Sequence, residues 1–241
     1  MTRFALIGYP LVGSGSPALF YRAYNGKWSY ELVDEPDFEL AWERFLKDYK
    51  AINISAPFKE KAFKKVDFAD DSARAIGAVN IAVKTARGIK GYNSDYSGVR
   101  KVLENRGFGK NSTVVVAGYG GAGKAAYAAA ASLGMNTVVC NRTHKVLINS
   151  VYSTLPLEDL PMLAAKADVL IYTLPVGLEF AKDSATLQGS PELHCPVILE
   201  ANYKTPSMQS AATKEYISGR EWLLEQAKAG YRLMTGETPN L

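Results

Sequence analysis

Residues suited to metals or cross-links are scarce. The 241-residue chain has two cysteines and two histidines. Cys140 and Cys195 are far apart and have no C-x-x-C spacing, so a reduced, cytoplasmic setting is expected. His144 and His194 stand in no ligand-spaced cluster, and no metal site is expected. No apolar run is long enough to cross a bilayer. The start, Met1 to Pro10, enters a short apolar strand and lacks the layout of a signal peptide. Net charge is low as well: 28 basic and 24 acidic residues leave +4. That balance is too weak and too dispersed for nucleic acid, but it is compatible with anionic small molecules. Lys61, Lys64 and Lys65 read as one solvated helix face. No internal repeat or low-complexity tract is present.

The chain does have apolar content, 47% of it, enough for one or two domains with a sizeable core. The first hundred residues alternate strand and helix signals. Strands are predicted over Phe4–Gly8, Ser29–Val33 and Ile52–Ser55. Helices are predicted over Pro17–Asn25 and Phe38–Tyr49, the latter carrying Phe38, Leu40, Ala41, Phe45 and Leu46 as its apolar residues. Val79–Thr85 and Gly88–Tyr92 pair as a hairpin, and a helix follows from Tyr96 to Arg106. From Thr113 the pattern changes. Thr113–Ala117 is a continuous β-branched run, as in a strand buried on both faces of a parallel sheet. An alanine-rich helix over Lys124–Leu133 follows, then strands at Asn136–Cys140, Val169–Tyr172 and Val197–Glu200, and an amphipathic helix over Glu221–Met234. The βαβ series predicts a doubly wound parallel sheet, so the fold class is α/β with two α/β domains.

The glycine turn gives the first chemical reading. Gly118, Gly120 and Gly123 match G-x-G-x-x-G, with Gly121 and Ala122 inside the turn. The turn follows a buried strand and opens a helix, the context that a dinucleotide-binding motif requires. The helix start offers free N–H groups and partial positive charge to a pyrophosphate. No Lys-Ser/Thr pair closes the turn, so it is not a P-loop. After the second strand of this domain an NAD site usually has Asp or Glu. Here Asn141, Arg142, Thr143 and Lys145 stand instead; Arg142, Thr143 and Lys145 are able to meet a 2′-phosphate, and the reading is NADP.

A second set of segments lies in the first domain. Gly8 to Pro17 contains Ser14 and Ser16. Asn53-Ile54-Ser55-Ala56-Pro57-Phe58-Lys59 ends a strand and opens a helix. Gly77-Ala78-Val79-Asn80 precedes Gly91-Tyr92-Asn93-Ser94-Asp95. Together with the glycine turn, Asn141-Arg142-Thr143 and Gln226, these motifs resemble the shikimate dehydrogenase family in order and over nearly the whole chain. Gly13 stands in place of the family's histidine, Ser55 and Ser94 in place of threonines, and Tyr172 to Gly177 departs from its N-A-T-P-x-G loop. Its D-x-x-Y-x-P segment becomes Glu200 to Thr205, without the proline.

The resemblance implies reversible, NADP-dependent hydride transfer at the ring carbinol of shikimate, in aromatic amino acid biosynthesis. It implies a substrate domain over residues 1–98, with 219–241 returning to it, and a Rossmann-like domain over 99–218. It makes Lys59 and Asp95 the catalytic pair, assigns the substrate carboxylate to Ser14 and Ser16, and adds Asn53, Ser55, Asn80, Tyr203 and Gln226 as substrate contacts. A lysine can move a proton, and Asn and Gln suit a polyol because each offers donors and an acceptor. Local roles are also open: Ser16 and Asp95 each precede a predicted helix as possible N-caps. The short segment after Thr143, with Pro156 and Pro161, predicts a missing or reduced crossover helix. The alternatives are a quinate- or NAD-using paralogue and a non-catalytic relative that binds polyol or nucleotide. The expected partner is a small-molecule substrate, with neither nucleic acid nor membrane, and the protein is expected to be a monomer or homodimer.

Overall fold

The computed structural model describes residues 2–175 and 193–241. The chain divides into two compact units, residues 1–97 with 226–241, and residues 98–225.

The first unit is built on a six-stranded sheet of order β2-β1-β3-β5-β6-β4. The strands are β1 (Arg3–Gly8), β2 (Ser29–Asp34), β3 (Ala51–Ile54), β4 (Phe68–Ala69), β5 (Ile81–Thr85) and β6 (Gly88–Tyr92). β1 pairs parallel with β2 and β3, whereas β5 runs antiparallel to both β3 and β6. The carboxyl ends of β1, β3 and β6 and the start of β5 therefore lie at one edge, with Asn53 opposite Ile81 and Ile81 opposite Tyr92. Helices α1 (Ser16–Ala23), α2 (Phe38–Asp48), α3 (Lys59–Phe63) and α4 (Asp71–Ile76) connect the strands.

In α2, Asp37 caps the start by accepting from Glu39 and Leu40 N–H groups. Its buried face is Phe38, Ala41, Trp42 and Phe45, while Leu40 and Leu46 face solvent. The apolar residues that the sequence offers thus do not all face inward: Trp42 belongs to the buried stripe at helical spacing and the two leucines do not. A second cluster packs Phe4, Phe20, Tyr24, Ile81 and Tyr231 on the other face of the sheet.

The second unit has a five-stranded, fully parallel sheet of order β11-β10-β9-β7-β8. Its strands are β7 (Thr113–Ala117), β8 (Asn136–Cys140), β9 (Val169–Tyr172), β10 (Cys195–Glu200) and β11 (Ala212–Ser218). Val114 to Ala117 and all of β9 are buried, as parallel strands covered on both faces must be. Helix α6 (Gly121–Ser132) starts at Gly121, three residues before the predicted Lys124. Helix α5 (Ser94–Glu104) starts two residues before the predicted Tyr96 and ends two before Arg106. Between β8 and β9 there is only a 3-10 turn (Leu157–Asp159) and the five-residue α7 (Leu160–Ala164). The last helix is Gly219–Thr235. No helix among the described residues is long and apolar enough to cross a membrane.

Candidate functional site

In the first unit the predicted residues gather at the edge where β1, β3 and β6 end. Phe58 is buried and packs edge-on against Phe38, which anchors the start of α3. The Lys59 carbonyl accepts from Val79 N–H at 2.9 Å. Lys59 Nζ then reaches Asp95 Oδ2 at 2.6 Å, with the side chains 27% and 15% exposed. Lys61 on the same short helix, and Lys64 and Lys65 just after it, face solvent.

Asp95 is held by its neighbours. Asn93, 2% exposed, donates from Nδ2 to the Ala78 carbonyl and accepts from Tyr96 N–H at 3.4 Å. Asn93 therefore does the capping at the start of α5, and the N-cap reading of Asp95 is corrected: Asp95 lies inside the first turn, where its Oδ2 accepts from Lys59 Nζ. Ser16 is corrected in the same way. The N-cap of α1 is Gly15, with no side-chain cap, and Ser16 is the first helical residue, followed by Pro17. Its N–H donates to Ser14 Oγ at 3.4 Å. The Ser14 hydroxyl donates to Ser16 Oγ at 3.2 Å, so the two hydroxyls are neighbours.

Asn80 is 4% exposed and central to a second group. Its Oδ1 accepts from Ser94 N–H at 2.7 Å, and its Nδ2 donates to Ser94 Oγ at 3.2 Å and to Gln226 Oε1 at 3.5 Å. Ser94 Oγ donates to the same Gln226 oxygen at 3.2 Å. With Oε1 so engaged, the Gln226 amide N–H groups are the part left for a ligand. Asn53 accepts from the Tyr30 hydroxyl at 2.8 Å. Ser55 follows β3, its N–H donating to the Ile7 carbonyl at 2.9 Å and its carbonyl accepting from Phe58 N–H at 3.0 Å.

In the second unit the glycine turn occupies the point where strand order reverses, at the carboxyl ends of β7 and β9. Gly118 has φ +93°, and a Cβ there would meet Thr173 Oγ1 at 2.8 Å. A Cβ on Gly123 would collide with the Gly118 carbonyl oxygen, so that glycine is required for α6 to approach β7. Gly120 and Gly121 face open space, and α6 has no side-chain cap. With Ala122 they present the first-turn N–H groups of a twelve-residue helix to whatever lies outside it. Asn141 shapes the next loop: Oδ1 accepts from Tyr119 N–H at 3.1 Å and Nδ2 donates to the Thr143 carbonyl at 2.8 Å. Arg142, Thr143 and Lys145 are exposed, and neither cation forms a salt bridge among the described residues. The shape and charge of this end suit a phosphorylated dinucleotide.

Tyr203 lies in this unit, on the loop after β10. The buried Glu200 organises that loop by accepting from Ser207 N–H and Oγ, Met208 N–H and the Tyr216 hydroxyl, the last at 2.7 Å. Asn202 adds a turn by donating to the Thr205 carbonyl at 2.6 Å. Of the loop from Tyr172 to Gly177, Val176 and Gly177 lie outside the described residues. Among the described residues no group of three or more His, Cys, Asp or Glu is placed to hold a metal. Sequence reasoning assigned no role to Tyr30 or Tyr119, and it met Glu200 only as the first residue of the altered D-x-x-Y-x-P segment, without its part in ordering the loop.

Comparison with known proteins gives a consistent set of relatives. A family profile described as the shikimate dehydrogenase substrate binding domain matches residues 6–82. A shikimate dehydrogenase (NADP(+)) of Halothermothrix orenii is 31% identical, with 98% of this chain and 91% of the relative aligned. The enzyme of the same name from Methanosarcina mazei is 32% identical over 99% of this chain and 94% of its own length. A crystal structure of Thermus thermophilus shikimate 5-dehydrogenase in complex with NADP(H) and shikimate superposes with TM-score 0.83 at 27% identity, covering 100% of this chain and 95% of the other. A Mycobacterium tuberculosis shikimate dehydrogenase gives TM-score 0.81, also at 27% identity, with the same coverage of both chains.

Proposed function

This chain belongs to the shikimate dehydrogenase family, and from that premise we propose that it interconverts shikimate and 3-dehydroshikimate with NADP. The observation that carries the reading is the Lys59–Asp95 pair, 2.6 Å apart with both side chains only partly buried. When bound, NADP supplies the hydride carrier. The chain's own residues do the rest. As the free amine, Lys59 Nζ takes the hydroxyl proton of the carbinol; as ammonium it returns a proton to the carbonyl oxygen in the reverse direction. Asp95 Oδ2, accepting from Lys59 Nζ at 2.6 Å, fixes that amine in place. The Ser14 and Ser16 hydroxyls receive the substrate carboxylate. Asn53, Ser55, Asn80 and Gln226 hold the ring hydroxyls, with Gln226 donating because its oxygen is already engaged. Gly118, Gly120, Gly121, Ala122 and Gly123 receive the pyrophosphate, and Asn141, Arg142, Thr143 and Lys145 the phosphorylated adenosine. The free, buried Cys140 and Cys195 support a reducing, cytoplasmic setting.

The test follows the absorbance of reduced nicotinamide with NADP and shikimate, and with NAD and quinate alongside. Turnover specific to NADP and shikimate is expected. Lys59→Ala is expected to lower kcat about 10²- to 10⁴-fold, the usual worth of a positioned acid–base group. NADP affinity should stay within about twofold, since a proton-transfer group acts in the transition state rather than in cofactor binding. Ligand binding without hydride transfer would instead mark a non-catalytic relative.

A further inference from the structure

No motif singles out Tyr30, which lies second on β2. Its hydroxyl donates to Asn53 Oδ1 at 2.8 Å. Its ring stacks on Phe20 at 4.6 Å between centroids and meets Tyr231 edge-on at 6.3 Å. Burial pushes its pKa well above the usual phenol range; Tyr231 adds to the rise, and a hydrogen bond from Ser16 opposes it. The phenol therefore keeps its proton at neutral pH and remains a donor. Ser16 Oγ in turn accepts from Ser14 Oγ at 3.2 Å, and the Ser16 carbonyl accepts from the Tyr231 hydroxyl at 3.5 Å.

One aromatic side chain thus links the start of α1 to the end of β3. We propose that Tyr30 is the positioning residue of the substrate subsite, holding Asn53 Oδ1 so that Nδ2 is the group offered to the ligand, in register with Ser14 and Ser16. The proposal rests on the functional reading above. An unrestrained asparagine can turn its amide over and present either end. One held by a phenol presents two N–H donors, so it selects a ligand oxygen that accepts and disfavours a donor at the same place. The rigid stack on Phe20 also means that the amide is ordered before ligand arrives, which lowers the entropic cost of binding.

Tyr30→Phe removes one oxygen and keeps the ring stack. Shikimate KM is expected to rise about tenfold, with kcat and NADP KM within about twofold of the unmodified protein. In a double-mutant cycle, Asn53→Ala should cost much less in the Tyr30→Phe background than alone, because the phenol acts through Asn53. Additive effects, or a joint loss in kcat and both KM values, would overturn the proposal. A readout without turnover is the Asn53 side-chain amide pair in the NMR spectrum of the ligand-free protein, identified by its loss in Asn53→Asp. That pair should move toward the position of a free amide in Tyr30→Phe, and an unmoved pair would overturn the positioning role. If shikimate is not oxidised but the amide pair moves, the functional reading falls and the role of Tyr30 in orienting Asn53 stands.

Discussion

A single methyl group separates the two duties of the glycine turn. At Gly123 an added Cβ collides with the Gly118 carbonyl, which is backbone and cannot step aside. At Gly121 it meets nothing within 4 Å. Gly123→Ala is expected to destabilise the fold by about 1–3 kcal/mol, the usual cost of overpacking. Gly121→Ala should leave the thermal midpoint almost unchanged, because alanine is the better helix former at an unobstructed position. A loss of NADP affinity in Gly121→Ala would then report crowding of the ligand and not damage to the fold. Equal melting losses in the two variants would refute the assignment. The same scale shows what local sequence can say about a side chain. Lys59 reads like Lys61, Lys64 and Lys65, yet Lys65 pairs with the exposed Glu39 while Lys59 meets Asp95, 36 residues further on. Only the repeated appearance of polar motifs at strand ends marks Lys59 from sequence. Tyr30 carries no such mark, since the worth of its hydroxyl depends on how β1, β2 and β3 are ordered.

At the scale of elements, the segment between β8 and β9 is the most individual part of the chain. The spacing with its two prolines predicts a reduced crossover helix, and the structure has the five-residue α7 there. A small turn precedes it that the sequence does not announce. Lys145 N–H donates to Thr154 Oγ1 and Thr154 N–H to the Lys145 carbonyl, while Leu155 N–H donates to Val139 at the outer edge of β8. Chain laid along β8 in this way covers an edge that would otherwise be open to pairing. Tyr119, buried beside the glycine turn, fastens the arrangement by accepting from Ile148 N–H at 2.8 Å. Tyr119→Phe should leave that N–H without its partner and cost about 1–3 kcal/mol. NADP KM is expected to rise while shikimate KM stays level, since the turn is bonded to Lys145 and lies in the unit that holds Arg142. A rise in shikimate KM alone would count against this account. β11 was illegible for the opposite reason. As an edge strand it buries only Ile217, so its sequence shows neither an apolar run nor a clean alternation.

At the scale of the whole molecule, buried groups that hold protons set how stability changes with pH. Burial pushes the Cys140 thiol up to about 12, with Asp159 adding to it, and Cys195 up to about 11. Burial likewise raises Tyr24, Tyr30, Tyr49, Tyr119, Tyr216 and Tyr231 above the usual phenol value. In the unfolded chain these groups release protons near their ordinary values, 9.0 for a thiol and 10.0 for a phenol. Above pH 9 the folded state therefore holds more protons than the unfolded state, and stability falls as pH rises. Lys84 acts in the other sense: burial lowers its pKa, so the folded state sheds its proton earlier and gains stability over the same interval. Among the described residues two thiols and six phenols oppose one lysine, and the net slope is downward. Melting temperature is expected to be level through neutral pH and to fall above about pH 9, where free thiols begin to ionise. Thiol reagents give an independent check, because the reacting species is the thiolate and both cysteines are inaccessible in the fold. Their reaction should therefore follow the unfolding curve at each pH. A melting temperature that stays constant from neutral pH to beyond the phenol range, or thiols that react well below the transition, would show that these groups titrate alike in both states and that the core does not hold their protons.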